Sequence, residues 1–133
     1  MPHILIADDS LIIQRILSLT LRKAGYEVQV ADDGQIALDM LASGPVDVLI
    51  ADLSMPEVDG IELLRRVRAD SRHAVLPVLM LTASGQEHDR DVASAEGASA
   101  FLTKPASSGE LLATLERLLR CADPKDTPRI LVC

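Results

Sequence analysis

Short apolar runs alternate along the chain with longer segments of helical periodicity. The runs at residues 4–7, 27–31, 46–51, 78–81 and 99–102 have the length and the Val, Ile and Leu content of strands. Residues 10–24 place Ile13, Ile16, Leu17 and Leu21 on one helical stripe, and residues 59–70 do the same with Ile61, Leu64 and Val67. In residues 108–120, Leu111, Leu112, Leu115, Leu118 and Leu119 build one apolar face. Gly25, Gly44 and Gly97 each follow a helical stretch, where a left-handed cap is expected. Ser107 with Glu110, and Asp59 with Glu62, read as capping boxes.

Five strands alternating with five helices predict an α/β fold with a doubly wound parallel sheet. The first, third and fourth strands are apolar almost throughout, as strands covered by helices on both faces are. The fourth helix is weakly apolar and follows the polar stretch at residues 85–91, so it is expected to be among the more mobile elements. In such sheets the ligand site lies beyond the carboxyl ends of the strands, at the switch point between strands one and three.

The residues at those ends carry chemistry. Asp8 and Asp9 follow the first strand, and Asp52 follows the third. Thr82 and Lys104 follow the fourth and fifth. Each alone has a bland reading: an Asp pair caps a helix, a Thr makes a turn, a Lys is solvated. Together, on four strand ends of one sheet, they form a site for a cation and a phosphoryl group. Two unit charges at 4 Å repel by about 4 kcal/mol at an effective dielectric near 20, so crowded carboxylates call for a cation. Only oxygen ligands are offered, which favours a hard cation, Mg²⁺ first. Asp52 is then placed to act as a nucleophile toward phosphorus.

Composition excludes other classes. A chain of 133 residues with 48% hydrophobic content fits one domain with a proper core. A net charge of −7 argues against binding a nucleic-acid backbone, and an aromatic content of 2% leaves no stacking platform. Cys121 and Cys133 form no metal or disulfide framework, which fits a reduced, cytoplasmic compartment. No apolar run reaches the roughly 20 residues of a membrane span, and no secretory leader pattern opens the chain.

These residues resemble those of two-component response-regulator receiver domains. The resemblance rests on Asp8-Asp9, on Asp52 within Asp52-Leu53-Ser54-Met55-Pro56-Glu57-Val58-Asp59-Gly60, on Thr82-Ala83 and on Lys104-Pro105, and it spans residues 1–121. It implies a flavodoxin-like strand order 2-1-3-4-5. It implies a phosphorylation-activated switch rather than an enzyme, one that assists its own phosphorylation and dephosphorylation. By this likeness Asp52 is the phosphoacceptor and Asp9 the direct Mg²⁺ ligand. Asp8 then acts mainly through water, and the backbone carbonyl of Ser54 adds a further ligand. Thr82 and Phe101 are the switch residues, Lys104 pairs with the phosphate, and the Lys104–Pro105 bond is cis. The implied donor is a sensor histidine kinase or a phosphotransfer protein docking near the first helix, where Ser10 to Ile13 lie. The implied output runs through the face of the fourth helix, fifth strand and fifth helix, to a downstream protein, an output domain or a dimer partner. Ser54 and Ser84 stand at positions that tune the lifetime of the phosphate in the family.

Three alternatives remain at this point. A haloacid-dehalogenase-type phosphatase also uses an Asp nucleophile and Mg²⁺, but in an Asp-x-Asp arrangement on the first strand, whereas Asp8 and Asp9 are adjacent. A flavodoxin-like nucleotide or flavin module needs a Gly- or Ser/Thr-rich phosphate loop where Asp8-Asp9-Ser10 stands. A pseudo-receiver would keep the fold and act only as an interaction module. Residues 122–133 differ from the rest. They open with a Pro-bearing linker, and Pro128-Arg129-Ile130-Leu131-Val132-Cys133 resembles Pro2-His3-Ile4-Leu5-Ile6-Ala7. The expectation is a linker leading into a second similar domain, with chance likeness of two short apolar runs as the alternative.

Overall fold

Period-two alternation sends neighbouring residues of each strand to opposite faces of one sheet. Leu5 and Ala7 join a core layer on one face, while Ile4 and Ile6 join the layer on the other. The computed structural model describes residues 3–44, 46–52, 60–70, 76–82, 95, 97–103 and 107–122, with only the backbone of Thr82 and of 120–122. Its strands are β1 (His3–Ala7), β2 (Glu27–Ala31), β3 (Val48–Asp52), β4 (Val78–Thr82) and β5 (Ala100–Thr103). All pairings are parallel, and the order is β2-β1-β3-β4-β5, as the resemblance implied.

Four helices lie among the described residues: α1 (Leu11–Lys23), α2 (Gly34–Ser43), α3 (Gly60–Ala69) and α4 (Ser108–Ala122). The additional helix expected before Gly97, and the capping box at Asp59, fall outside the described residues. Leu17 and Leu21 of α1 pack with Leu111, Leu115 and Leu118 of α4 against one face of the sheet. Ala37 and Leu41 of α2 pack with Leu63, Leu64 and Val67 of α3 against the other. This is the doubly wound arrangement, and it leaves the β1–β3 boundary as the switch point. Leu115 has no exposed surface, so truncating it to Ala removes about 2–5 kcal/mol.

Helix α1 departs from its expected stripe. Ile13, Leu17 and Leu21 turn toward the core, but Ile16 is 54% exposed, in a row with Ile12 at 71% and Leu19 at 62%. The segment is apolar on two faces, and the packing of β1 and α4 selects the face carrying Leu17 and Leu21.

The caps follow local chemistry. Ser10 caps α1 by accepting from the Ile13 amide, and Ser107 caps α4 by accepting from the Glu110 amide. Gly25 (φ 97°) ends α1 in a Schellman motif, with Tyr26 N donating to Leu21 O and Gly25 N to Arg22 O. Gly44 differs from expectation: its φ of −168° is extended backbone, so α2 ends there without a left-handed cap.

Arg68, at the end of α3, ties down the amino-terminal edge of the sheet. Its Nε and Nη2 donate to Gly97 O at 3.0 and 2.8 Å, and its Nη1 donates to Leu76 O at 2.6 Å. Burial pushes its pKa below the ordinary arginine range. Gly97 has φ 103°, a conformation that favours glycine, and a Cβ there would press on the Arg68 side chain, 3.0 Å from Nε.

Candidate functional site

Asp8 follows β1 directly and Asp52 ends β3. The β1–β3 register pairs Ala7 with Ala51, so Asp8 and Asp52 come next on the two chains, side by side. On its other side Asp52 pairs with Leu81 of β4. Carboxylate oxygens of Asp8, Asp9 and Asp52 all lie within 4.8 Å of one another. Asp8 is 2% exposed and Asp52 9%, while Asp9 opens to solvent.

Local chemistry fixes the loop that carries the first two. Asp8 N donates to Ala31 O at 3.2 Å, continuing the β1–β2 ladder past the strand end. Asp8 Oδ1 accepts from Ser10 N at 2.8 Å in an Asx turn, and Ser10 then starts α1. Gln14, 7% exposed on α1, donates from Nε2 to Asp8 O at 2.5 Å and to Asp32 Oδ1 at 2.9 Å. Asp33, beside Asp32, caps α2 through the Ile36 amide.

Three carboxylates this close, two of them shielded from water, repel one another. Unit charges near 4 Å cost about 4 kcal/mol at an effective dielectric near 20. The donor set is oxygen alone, without His or Cys, and one carboxylate faces solvent as an entry path. Such a set fits a hard divalent cation that retains some of its water.

The chain matches the response regulator receiver domain over residues 4–116. It belongs to that family. The DNA-binding dual master transcriptional regulator RpaA of Synechocystis is 43% identical to it over 92% of the chain and 51% of its own length. The response regulator MprA of Mycobacterium avium is 40% identical over 93% of the chain and 54% of its own length. The receiver thus spans about half the length of these curated relatives. The chemotaxis protein CheY4 of Vibrio cholerae superposes with a TM-score of 0.85 at 39% identity, covering 90% of the chain and 99% of that structure. Receivers of this family are phosphorylation-activated signalling switches. These matches support neither the phosphatase nor the flavin-module reading.

The fold brings Asp8, Asp9 and Asp52 of the receiver together, as the strand ends predicted. The backbone of Thr82 ends β4 one residue past Leu81 and pairs with Thr103. Phe101 pairs with Met80 and is half-buried against the layer formed by α2 and α3. Ser54, Ser84, Lys104 and Pro105, and with them the cis bond, lie outside the described residues, as do residues 123–133. Among the described residues no helix is long and apolar enough to cross a membrane.

Sequence reasoning missed Gln14 and Asp32. The signal was present: Gln14 is a polar residue between Ile13 and Leu17, on the side of the helix that turns inward.

Proposed function

We propose that Asp52 accepts a phosphoryl group from a phosphohistidine of a sensor histidine kinase or phosphotransfer protein. The observation that carries this is the meeting of Asp8, Asp9 and Asp52 within 4.8 Å at the switch point of the sheet. A carboxylate oxygen of Asp52 attacks phosphorus and forms the new P–O bond. The P–N bond to the donor histidine breaks, its electron pair returns to the imidazole nitrogen, and that nitrogen takes a proton from solvent. Bound Mg²⁺ would offset the repulsion among the acids and draw charge from the phosphoryl oxygens. Asp9 would hold it directly, Asp8 mainly through water, with Asp52 and the Ser54 carbonyl completing the set. Lys104 pairs with one phosphoryl oxygen and the Thr82 hydroxyl donates to another. By lowering these barriers the receiver assists its own phosphorylation and dephosphorylation.

The added charge then biases two states of the domain. Thr82 moves toward the phosphoryl group and Phe101 turns inward behind it. The half-buried position of Phe101 beside the Met80 layer supports such a change of rotamer. The exposed surface changes on the face made by the helix expected before Gly97, β5 and α4. That face is assigned to an output domain, a downstream protein or a second copy. The exposed row of Ile12, Ile16 and Leu19 on α1 supports docking of the phosphoryl donor there. A cytoplasmic setting follows from such donors. Residues 123–133, after the helix that takes in Ala122, are read as a linker into a second unit of the same kind, on the likeness of residues 128–133 to residues 2–7.

Beryllofluoride, which mimics the phosphoryl group, tests the switch. With Mg²⁺ it is expected to shift the amide NMR signals of Asp52, Thr82, Phe101 and Lys104 together. Unchanged signals at Thr82, Phe101 and Lys104 would contradict the proposal.

A further inference from the structure

Gln14 spends both side-chain N–H groups on two loops. One bonds Asp8 O at 2.5 Å, the other Asp32 Oδ1 at 2.9 Å. The Asp8 carbonyl belongs to the peptide unit that joins Asp8 to Asp9. That unit is planar, so pinning its oxygen fixes ψ of Asp8 and φ of Asp9 together. Both carboxylates hang from the two ends of this plane, and both belong to the acidic cluster. The second bond is to a charged acceptor and is the stronger type. It holds the exposed Asp32 carboxylate on the α1 side, outside the cluster of three. Because the amide is neutral, it orders this acidic loop without placing a competing positive charge beside a cation site. Gln14 is itself packed into α1 and 7% exposed, so its position is set by the fold rather than by solvent.

We propose that Gln14 is a positioning residue of the acidic site, which sets the Asp8–Asp9 peptide plane and through it the affinity for the divalent cation. The proposal rests on the reading of Asp8, Asp9 and Asp52 as the metal and phosphoryl site. Groups that orient metal ligands from outside the ligand set typically change affinity by about 10–100-fold when removed.

The test uses the full chain and Mg²⁺ itself. Mg²⁺ affinity is measured by calorimetry for the wild type, Gln14→Met, Asp32→Ala and the double variant. Labelling by acetyl phosphate is followed across Mg²⁺ concentrations. Methionine keeps the length of Gln14 and removes both donors. The expected result is a loss of Mg²⁺ affinity of about tenfold in Gln14→Met. Its labelling rate returns to the wild-type value at saturating Mg²⁺. A role confined to stability lowers the melting temperature and leaves the affinity of the folded protein unchanged. Asp32→Ala, at an exposed position that does not threaten folding, should lose about threefold, with no further loss on top of Gln14→Met. Additive losses would mean that Asp32 acts by charge alone and would overturn the proposal, as would a folded Gln14→Met with wild-type affinity. If Gln14→Met does not fold, unchanged affinity in Asp32→Ala overturns it. A wild type that neither binds Mg²⁺ nor takes label overturns the reading of the site itself, and this proposal with it.

Discussion

Asp8 and Asp52 stand at matching positions on adjacent parallel strands, each one residue beyond the paired Ala7 and Ala51. No loop has to fold back to bring them together. The register of β1 on β3 does it, and Asp9 joins as the residue after Asp8, just past the end of β1. The sheet thus gathers the charge of three carboxylates at one edge.

That charge makes stability depend on the cation. A ligand bound only by the folded state adds about 2.7 kcal/mol at one hundred times its Kd. Thermal unfolding in EDTA and in excess Mg²⁺ should therefore differ by several degrees for the wild type. Asp9→Asn should unfold slightly later than wild type in EDTA, by about 0.5–1 kcal/mol because Asp9 is exposed. It should gain little from Mg²⁺.

Arg68 works at the opposite edge of the sheet. Its guanidinium gathers Gly97 O, Leu76 O and, at 3.4 Å, Ser99 Oγ. Ser99 Oγ in turn accepts from Val78 N at 3.1 Å, so α3, β4 and β5 share one anchor. Arg68→Ala should cost about 2–4 kcal/mol in urea unfolding, since hydrogen bonds from a charged group are the stronger kind. Arg68→Lys cannot reproduce the planar fork and should recover less than half of that loss. Neither variant should change Mg²⁺ affinity, because the acids lie at the other ends of the strands.

The exposed row on α1 predicts a split between two donors. Ile16→Lys places a charge between Ile12 and Leu19 on a solvent-facing surface. Stability should change by less than about 0.5 kcal/mol, as expected for a surface position. Labelling by acetyl phosphate should be unaffected. Transfer from the cognate phosphohistidine protein should fall at least about tenfold, as for a central interface residue. Equal rates from both donors would remove α1 from the docking surface.

The sequence carried the sheet well because β1, β3 and β4 are apolar almost throughout, and the change to Asp8, Asp52 and Thr82 at their carboxyl ends is abrupt. Strand ends are where side-chain chemistry changes, so the acids of the site were legible too. Helix faces were harder. In α1, Ile12, Ile13, Ile16, Leu17, Leu19 and Leu21 satisfy two stripes, and only tertiary packing chooses between them. Gly44 was misread because a glycine after a helix permits a left-handed cap without requiring one. Gln14 and Asp32 escaped because their contact joins helix α1 to the loop after β2, 18 residues apart in the chain. The inward polar position of Gln14 hints at a buried partner, but no local pattern names Asp32 as that partner.

The central claim concerns Asp52, and one measurement addresses it most directly. The chain is incubated with acetyl phosphate and Mg²⁺, and intact mass and peptide mapping locate any added phosphoryl group. The account predicts one phosphoryl group, on Asp52, that is absent in EDTA and absent in Asp52→Ala. A wild type that stays unmodified, or an Asp52→Ala protein labelled to the same extent, would contradict it.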